Sequence, residues 1–228
     1  MKFTPIAAAA LIAVSSLAHA GTTVQDLGPA TLTYDDASPF AWLAGWGSSS
    51  SNYSFEWTVP NSAQVISTTG ALMITTVQLP TFTLTANAGY TLNGVFSGFL
   101  GNLAYTEIGG ATTGILAYAD VSLNGGPAVS LSSGIGWVSQ SSGPGYNLGY
   151  FADTASTPNL GNYSSITISN ASIVMSAAGG SFSSIQANPQ NKLHFDYQAA
   201  AVPEPETYAM LMAGLGVIGF LARRRKQG

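Results

Sequence analysis

Outside its first twenty residues the chain has one histidine, His194, and it has no cysteine anywhere, so the side chains that could do chemistry are few. Disulfides, thiolate metal sites and cysteine nucleophiles are excluded together. A Ser-His-Asp relay would have to use His194 as its base, and no G-x-S-x-G turn supplies the serine. H-E-x-x-H and the EF-hand loop are also absent. What remains is carboxylates: Glu56, Glu107, Asp120 and the Asp35-Asp36 pair. Two acids at the proper separation across a cleft suffice for glycoside hydrolysis. The alternative is that these few acids keep a weakly charged domain soluble. Asp35-Asp36 offers the hard oxygen ligands that calcium prefers, but no complete ligand set can be written around it, and an aspartate pair also suits an ordinary turn. No catalytic residue, cofactor or metal is expected.

Trp42 and Trp46, with Phe40, stand in a stretch that ends in Gly47 and four serines, Ser48 to Ser51. Sugar rings present C–H faces that stack on indoles, and neighbouring hydroxyls and amides can bind sugar hydroxyls. Trp42 and Trp46 are therefore candidate carbohydrate contacts, against the alternative that they fill a core. Nucleic acid is excluded as a ligand. Between residues 21 and 202 there are eight acidic side chains and one lysine, Lys192, and phosphate binding needs cations that displace counterions.

The elements that position these residues read as strands. In Tyr53-Ser-Phe55-Glu-Trp57-Thr-Val59 the odd positions are apolar and the even ones polar, the period of a half-buried strand. Leu193-His-Phe195-Asp-Tyr197 repeats the pattern and places His194 on the polar side. Ile115, Ala117, Ala119, Val121 and Leu123 form a face opposite Leu116, Tyr118 and Asp120; Phe82, Leu84 and Ala86 alternate with threonines, and Ile166 and Ile168 flank Thr167. Turn signals separate such runs: Asn93-Gly94, Gly109-Gly110, Asn124-Gly125-Gly126, Gly143-Pro144-Gly145 and Gly179-Gly180. The expected fold is all-β, an antiparallel β-sandwich of jelly-roll type, with a β-helix or elongated meander as the rival. The sandwich is assigned to residues 21–197 and a short alanine-rich linker to 198–202.

Both ends differ from this body. Met1-Lys2, an apolar run to Leu17, and Ala18-His19-Ala20 before Gly21 have the three-part pattern of a secretory signal peptide, residues 1–20, with Ala18 and Ala20 marking the cleavage site. At the other end Tyr208 to Ala222 is a run without a charge, followed at once by Arg223, Arg224, Arg225 and Lys226. As a helix the run reaches about 22 Å, short of a hydrocarbon thickness of about 30 Å, so it reads as a short transmembrane helix that snorkelling arginine stems extend. The cations put its C-terminus on the cytoplasmic side and the body outside. Pro203-Glu204-Pro205 precedes it, and two fixed φ angles hold that stretch extended.

This order of Pro203-Glu204-Pro205, glycine-containing apolar helix and terminal arginines resembles the PEP-CTERM sorting signal, over about residues 202–228, with the sorting-signal segment itself assigned to 203–228. The resemblance implies recognition by an exosortase, a membrane-embedded processing enzyme of Gram-negative bacteria that make exopolysaccharide. Pro203, Glu204 and Pro205 would be the recognition motif, Tyr208–Ala222 a transient span of the inner membrane, and Arg223–Lys226 the basic stop signal. The secretion translocon is the other partner expected, and exopolysaccharide a further one. The whole chain then reads as an exported cell-surface or biofilm-matrix protein with a structural or adhesive role and no catalysis. A carbohydrate-binding module for the producer's own polysaccharide is the alternative, and a glycan-active enzyme comes third.

Overall fold

The alternation seen in the sequence sets the strands. In the computed structural model Phe55 and Trp57 are fully buried while Glu56 between them is half-buried, and Leu193, Phe195 and Tyr197 are buried with His194 on the other side. The structure describes residues 21–35, 43–49, 52–132, 137–140, 144–187, 192–203 and 205–225.

In chain order the strands are β1 (Thr22–Asp26), β2 (Ala30–Asp35), β3 (Leu43–Ser49), β4 (Asn52–Thr58), β5 (Gln64–Ser67) and β6 (Met73–Gln78). They continue with β7 (Phe82–Ala86), β8 (Tyr90–Ile108), β9 (Thr112–Leu123), β10 (Val129–Ser132) and β11 (Trp137–Gln140). Last come β12 (Tyr146–Ser156), β13 (Asn162–Tyr163), β14 (Ser165–Ala178), β15 (Phe182–Gln186) and β16 (Lys192–Ala201), followed by the helix α1 (Pro205–Arg225). Every pairing among the described residues is antiparallel.

Among the described residues these strands form two eight-stranded sheets. One runs β1-β2-β7-β14-β9-β10, with β6 on β14 and β11 on β9; the other runs β3-β4-β16-β8-β15-β5, with β12 and β13 on β8. They stack face to face on a shared aromatic layer. Phe82 of the first sheet packs against Phe55, Trp57, Phe96 and Phe195 of the second with ring centroids 5.1–6.2 Å apart, and Tyr34 meets Trp57 edge-on at 5.6 Å. Leu32, Leu84, Ile166 and Met175 fill the same core from the first sheet, Leu92, Leu103 and Ile185 from the second. Each side chain of this size removed from water contributes about 1.5–3 kcal/mol, which is how a chain without disulfides closes a sandwich. The antiparallel sandwich is as expected.

The face reading of β9 also holds, with Ile115 and Val121 buried and Leu116 and Tyr118 exposed. Turns are a mixed result. Asn124-Gly125-Gly126 closes the β9–β10 hairpin as expected. Gly109-Gly110 and Gly179-Gly180 instead carry the chain from one sheet to the other, β8 to β9 and β14 to β15. At Gly180, with φ +59°, a Cβ would collide with the Ile108 carbonyl oxygen, so only glycine fits this crossing. Asn93-Gly94 is not a turn at all. It lies inside β8, where the register to β16 shifts between Asp196 and Gln198, and Gly94 (φ +75°) sits in that bulge. Gly143 lies outside the described residues.

The linker assigned to residues 198–202 is corrected as well. Gln198 to Ala201 continue β16, paired to Asn93–Tyr90 of β8, and Ala199 is buried in the core. Alanines lack the bulky alternation that marks a strand, so the pattern vanishes while the ladder goes on.

Candidate functional site

The tail leaves the sandwich from the middle of a sheet. Ala201 ends β16 opposite Tyr90, and the amide of Val202 donates to the carbonyl of Gly89 at 2.8 Å. Pro203 is exposed. Pro205 opens α1, where a residue without an amide hydrogen forfeits no helical bond. Arg223, Arg224 and Arg225 close it, where cations complement the negative end of the helix dipole. Side chains from Tyr208 to Ile218 are exposed along it. Among the described residues no helix is long and apolar enough to cross a membrane, so the expected transmembrane helix finds no support in α1 as described. Glu204, Lys226 and the cleavage residues Ala18 and Ala20 lie outside the described residues.

A second feature lies where the edges of the two sheets meet. A groove of about 500 Å³ is lined by Leu27, Gly28 and Pro29 of the β1–β2 turn, by Trp46, Gly47 and Ser48 of β3, by Tyr53 of β4 and by Tyr90 of β8. Trp46 pairs with Phe55, yet β3 is the outermost strand of its sheet and the indole remains 54% exposed. Tyr53 is fixed from behind by Tyr197, whose ring stacks on it at 5.5 Å and 24°. Burial first, then the Tyr53 phenol and the Asp26 charge, push the Tyr197 hydroxyl well above the usual tyrosine range, so it stays neutral.

The turn wall is tied down by Asn87, in the connection between β7 and β8. Its Nδ2 donates to the Gly28 carbonyl at 2.8 Å and to Asp26 Oδ1 at 3.1 Å, and its Oδ1 accepts from Thr31 Oγ1 at 2.6 Å. The Asn87 amide donates to the Pro29 carbonyl, and the Tyr90 amide to the Asn87 carbonyl. One asparagine thus joins the wall to the strand that carries Tyr90. Trp42, the other tryptophan singled out from the sequence, lies outside the described residues. Tyr53 and Tyr90 were not singled out. The only signal for Tyr90 was its place after Gly89 at a strand start.

The remaining candidates do not converge. His194 lies between two carboxylates, with Nδ1 3.6 Å from Glu56 Oε2 and Nε2 3.0 Å from Asp196 Oδ1. A serine-type relay needs its second nitrogen on a hydroxyl, whereas both of these face acids. Glu107 is fully buried. Its Oε1 accepts from the Thr113 amide and hydroxyl, both at 2.8 Å, and its Oε2 from Asn147 Nδ2 at 2.9 Å. That carboxylate braces strands and is closed to a polysaccharide, which corrects its reading as a solubilising surface acid. Asp120 accepts from Ser130 and Asn170, which hold its carboxyl below the usual 3.8. Asp35 is in β2 and Asp36 lies outside the described residues. No group of three or more His, Cys, Asp or Glu side chains able to hold a metal occurs among the described residues.

Comparison with known proteins identifies the tail. The PEP-CTERM protein-sorting motif matches residues 201–226. No curated protein sequence matches the chain. Similar solved structures include TmCBM61 in complex with β-1,4-galactotriose, at 13% identity over 62% of this chain and 90% of that one, with a TM-score of 0.19. The infectious bursal disease virus Gx strain structure is similar at 11% identity over 79% of this chain and 51% of that one, also with a TM-score of 0.19. At those scores neither carries an argument about topology or ligand. The motif itself implies processing by an exosortase, export and cell-surface sorting.

Proposed function

We propose that the chain is a cell-surface or exopolysaccharide-matrix protein with a structural or adhesive role and no catalysis, delivered by its PEP-CTERM tail. Residues 1–20 take it to the secretion translocon. The tail then comes to the inner membrane, with Arg223–Lys226 as the stop, while an exosortase acts near Pro203-Glu204-Pro205. One observation carries this reading: the motif begins where the last backbone bond to the sandwich is made, at Val202, and Pro203 is exposed. A processing enzyme can therefore take the tail without unfolding the body. The histidine held between two acids and the sealed Glu107 support a role without catalysis.

The test replaces Pro203, Glu204 and Pro205 together by alanine and follows tail length and location in cell fractions. Accumulation of unprocessed protein in the membrane fraction is expected. Maturation and surface delivery at the unaltered rate would remove the sorting role. The exposed Trp46 favours a second reading, in which the body also binds the producer's polysaccharide.

A further inference from the structure

We propose that the Trp46–Tyr53–Tyr90 groove is a binding site for a neutral glycan chain. This rests on the second reading above and adds the site and the class of sugar. The lining supplies an exposed indole, two phenols and the Ser48 hydroxyl, so it offers flat apolar faces for sugar C–H surfaces beside groups that bind hydroxyls. Its volume of about 500 Å³ lies within the roughly 300–1,000 Å³ of small-ligand sites. The groove is open to solvent, which a polymer needs and a sealed cavity denies.

Charge decides the class. The lining holds no Asp, Glu, His, Lys or Arg, and the charge tied to its turn wall is a negative one, Asp26, held there by Asn87. The one lysine of the body, Lys192, is paired with Thr58 at the far end of β4. A uronic acid or sulfated sugar would meet a carboxylate with no cation to offset it, whereas a neutral hexose loses nothing. The site is also pre-organised. Tyr53 is backed by Tyr197, and Asn87 clamps the turn to the strand that bears Tyr90, so little ordering is left for the ligand to impose.

A rival surface exists on β12, where Tyr146, Leu148 and Tyr150 project from one face and are 60–74% exposed. Its exposed large side chains come from a single strand, so it serves as the control.

The full chain, purified in detergent, is run in affinity gels containing β-glucan, mannan or dextran, or the acidic polymers alginate and polygalacturonate, and against the producer's own polysaccharide. Retardation by at least one neutral polymer and by neither acidic one is expected. Trp46→Ala should weaken that binding about tenfold or more, as loss of a central aromatic anchor does, and the Tyr146→Ala/Tyr150→Ala pair should leave it unchanged. Because Trp46 is exposed its removal spares the fold, and circular dichroism checks this. Binding lost in the β12 variant but kept without Trp46 overturns the site while the binding role stands. Retardation by the acidic polymers alone overturns the class. Absence of binding to every polymer, the producer's included, removes both the site and the second reading.

Discussion

Glu107 shows how one residue can be read correctly by type and wrongly by role. Its neighbours in the strand, Thr106 and Ile108, lie on the other face, and the carboxylate points inward and finds three donors on two other segments. Those donors come from Thr113 and Asn147, six and forty positions away, and nothing in the local sequence announces them. Glu107→Ala would strand the Thr113 amide and hydroxyl in the core and should cost about 3 kcal/mol, read as a lowered chemical-denaturation midpoint. Glu107→Gln keeps the acceptor for Thr113 and should cost about 1 kcal/mol. Equal losses in the two variants would show that the acceptor is not what matters. His194 is the contrasting case. Its side of the strand followed from period alone, and only its placement between Glu56 and Asp196 required the fold.

At the scale of elements, strands were legible wherever apolar residues alternate with serine, threonine or charge, as in β4, β7, β9 and the first half of β16. They were not legible in Gln198–Ala201, where small side chains erase the period, nor where Asn93-Gly94 imitates a hairpin inside β8. A bulge and a turn call for the same residue because both need positive φ. Asn124 was legible as a turn residue, but its second task was not. At φ 51° it turns the chain, and its Oδ1 accepts from the amides of Ser164 and Ser165 and from the Ser164 hydroxyl, 2.8–3.1 Å away, fastening the end of β9 to the start of β14. Asn124→Gly keeps the angle and loses the fastening; Asn124→Ala loses both. Glycine should cost about 1 kcal/mol and alanine about 2 kcal/mol, measured by thermal unfolding. The reverse order would mean that the backbone angle is unimportant there.

For the whole molecule, the fold class and the address were readable, whereas the sheet order and the groove were not. The groove draws on four segments spread from Leu27 to Tyr90, and only Trp46 among its lining residues stood out. The order β3-β4-β16-β8-β15-β5 puts the last strand between two earlier ones, a placement that depends on packing between distant segments. Deleting Gln198–Ala201, which a linker would tolerate, should therefore remove the pairing with Asn93–Tyr90, uncover Leu92 and lower the melting temperature by several degrees. An unchanged melting temperature would restore the linker.

That interior place of β16 also governs how the protein meets force. A pull applied beyond Val202 is met first by Ala199–Ala201, paired to β8 alone, and from Gln198 inward by two ladders, to β4 and to β8, which load together. The end of the body next to the tail is therefore the part that yields first under tension, and the doubly paired stretch Leu193–Gln198 is the part that resists.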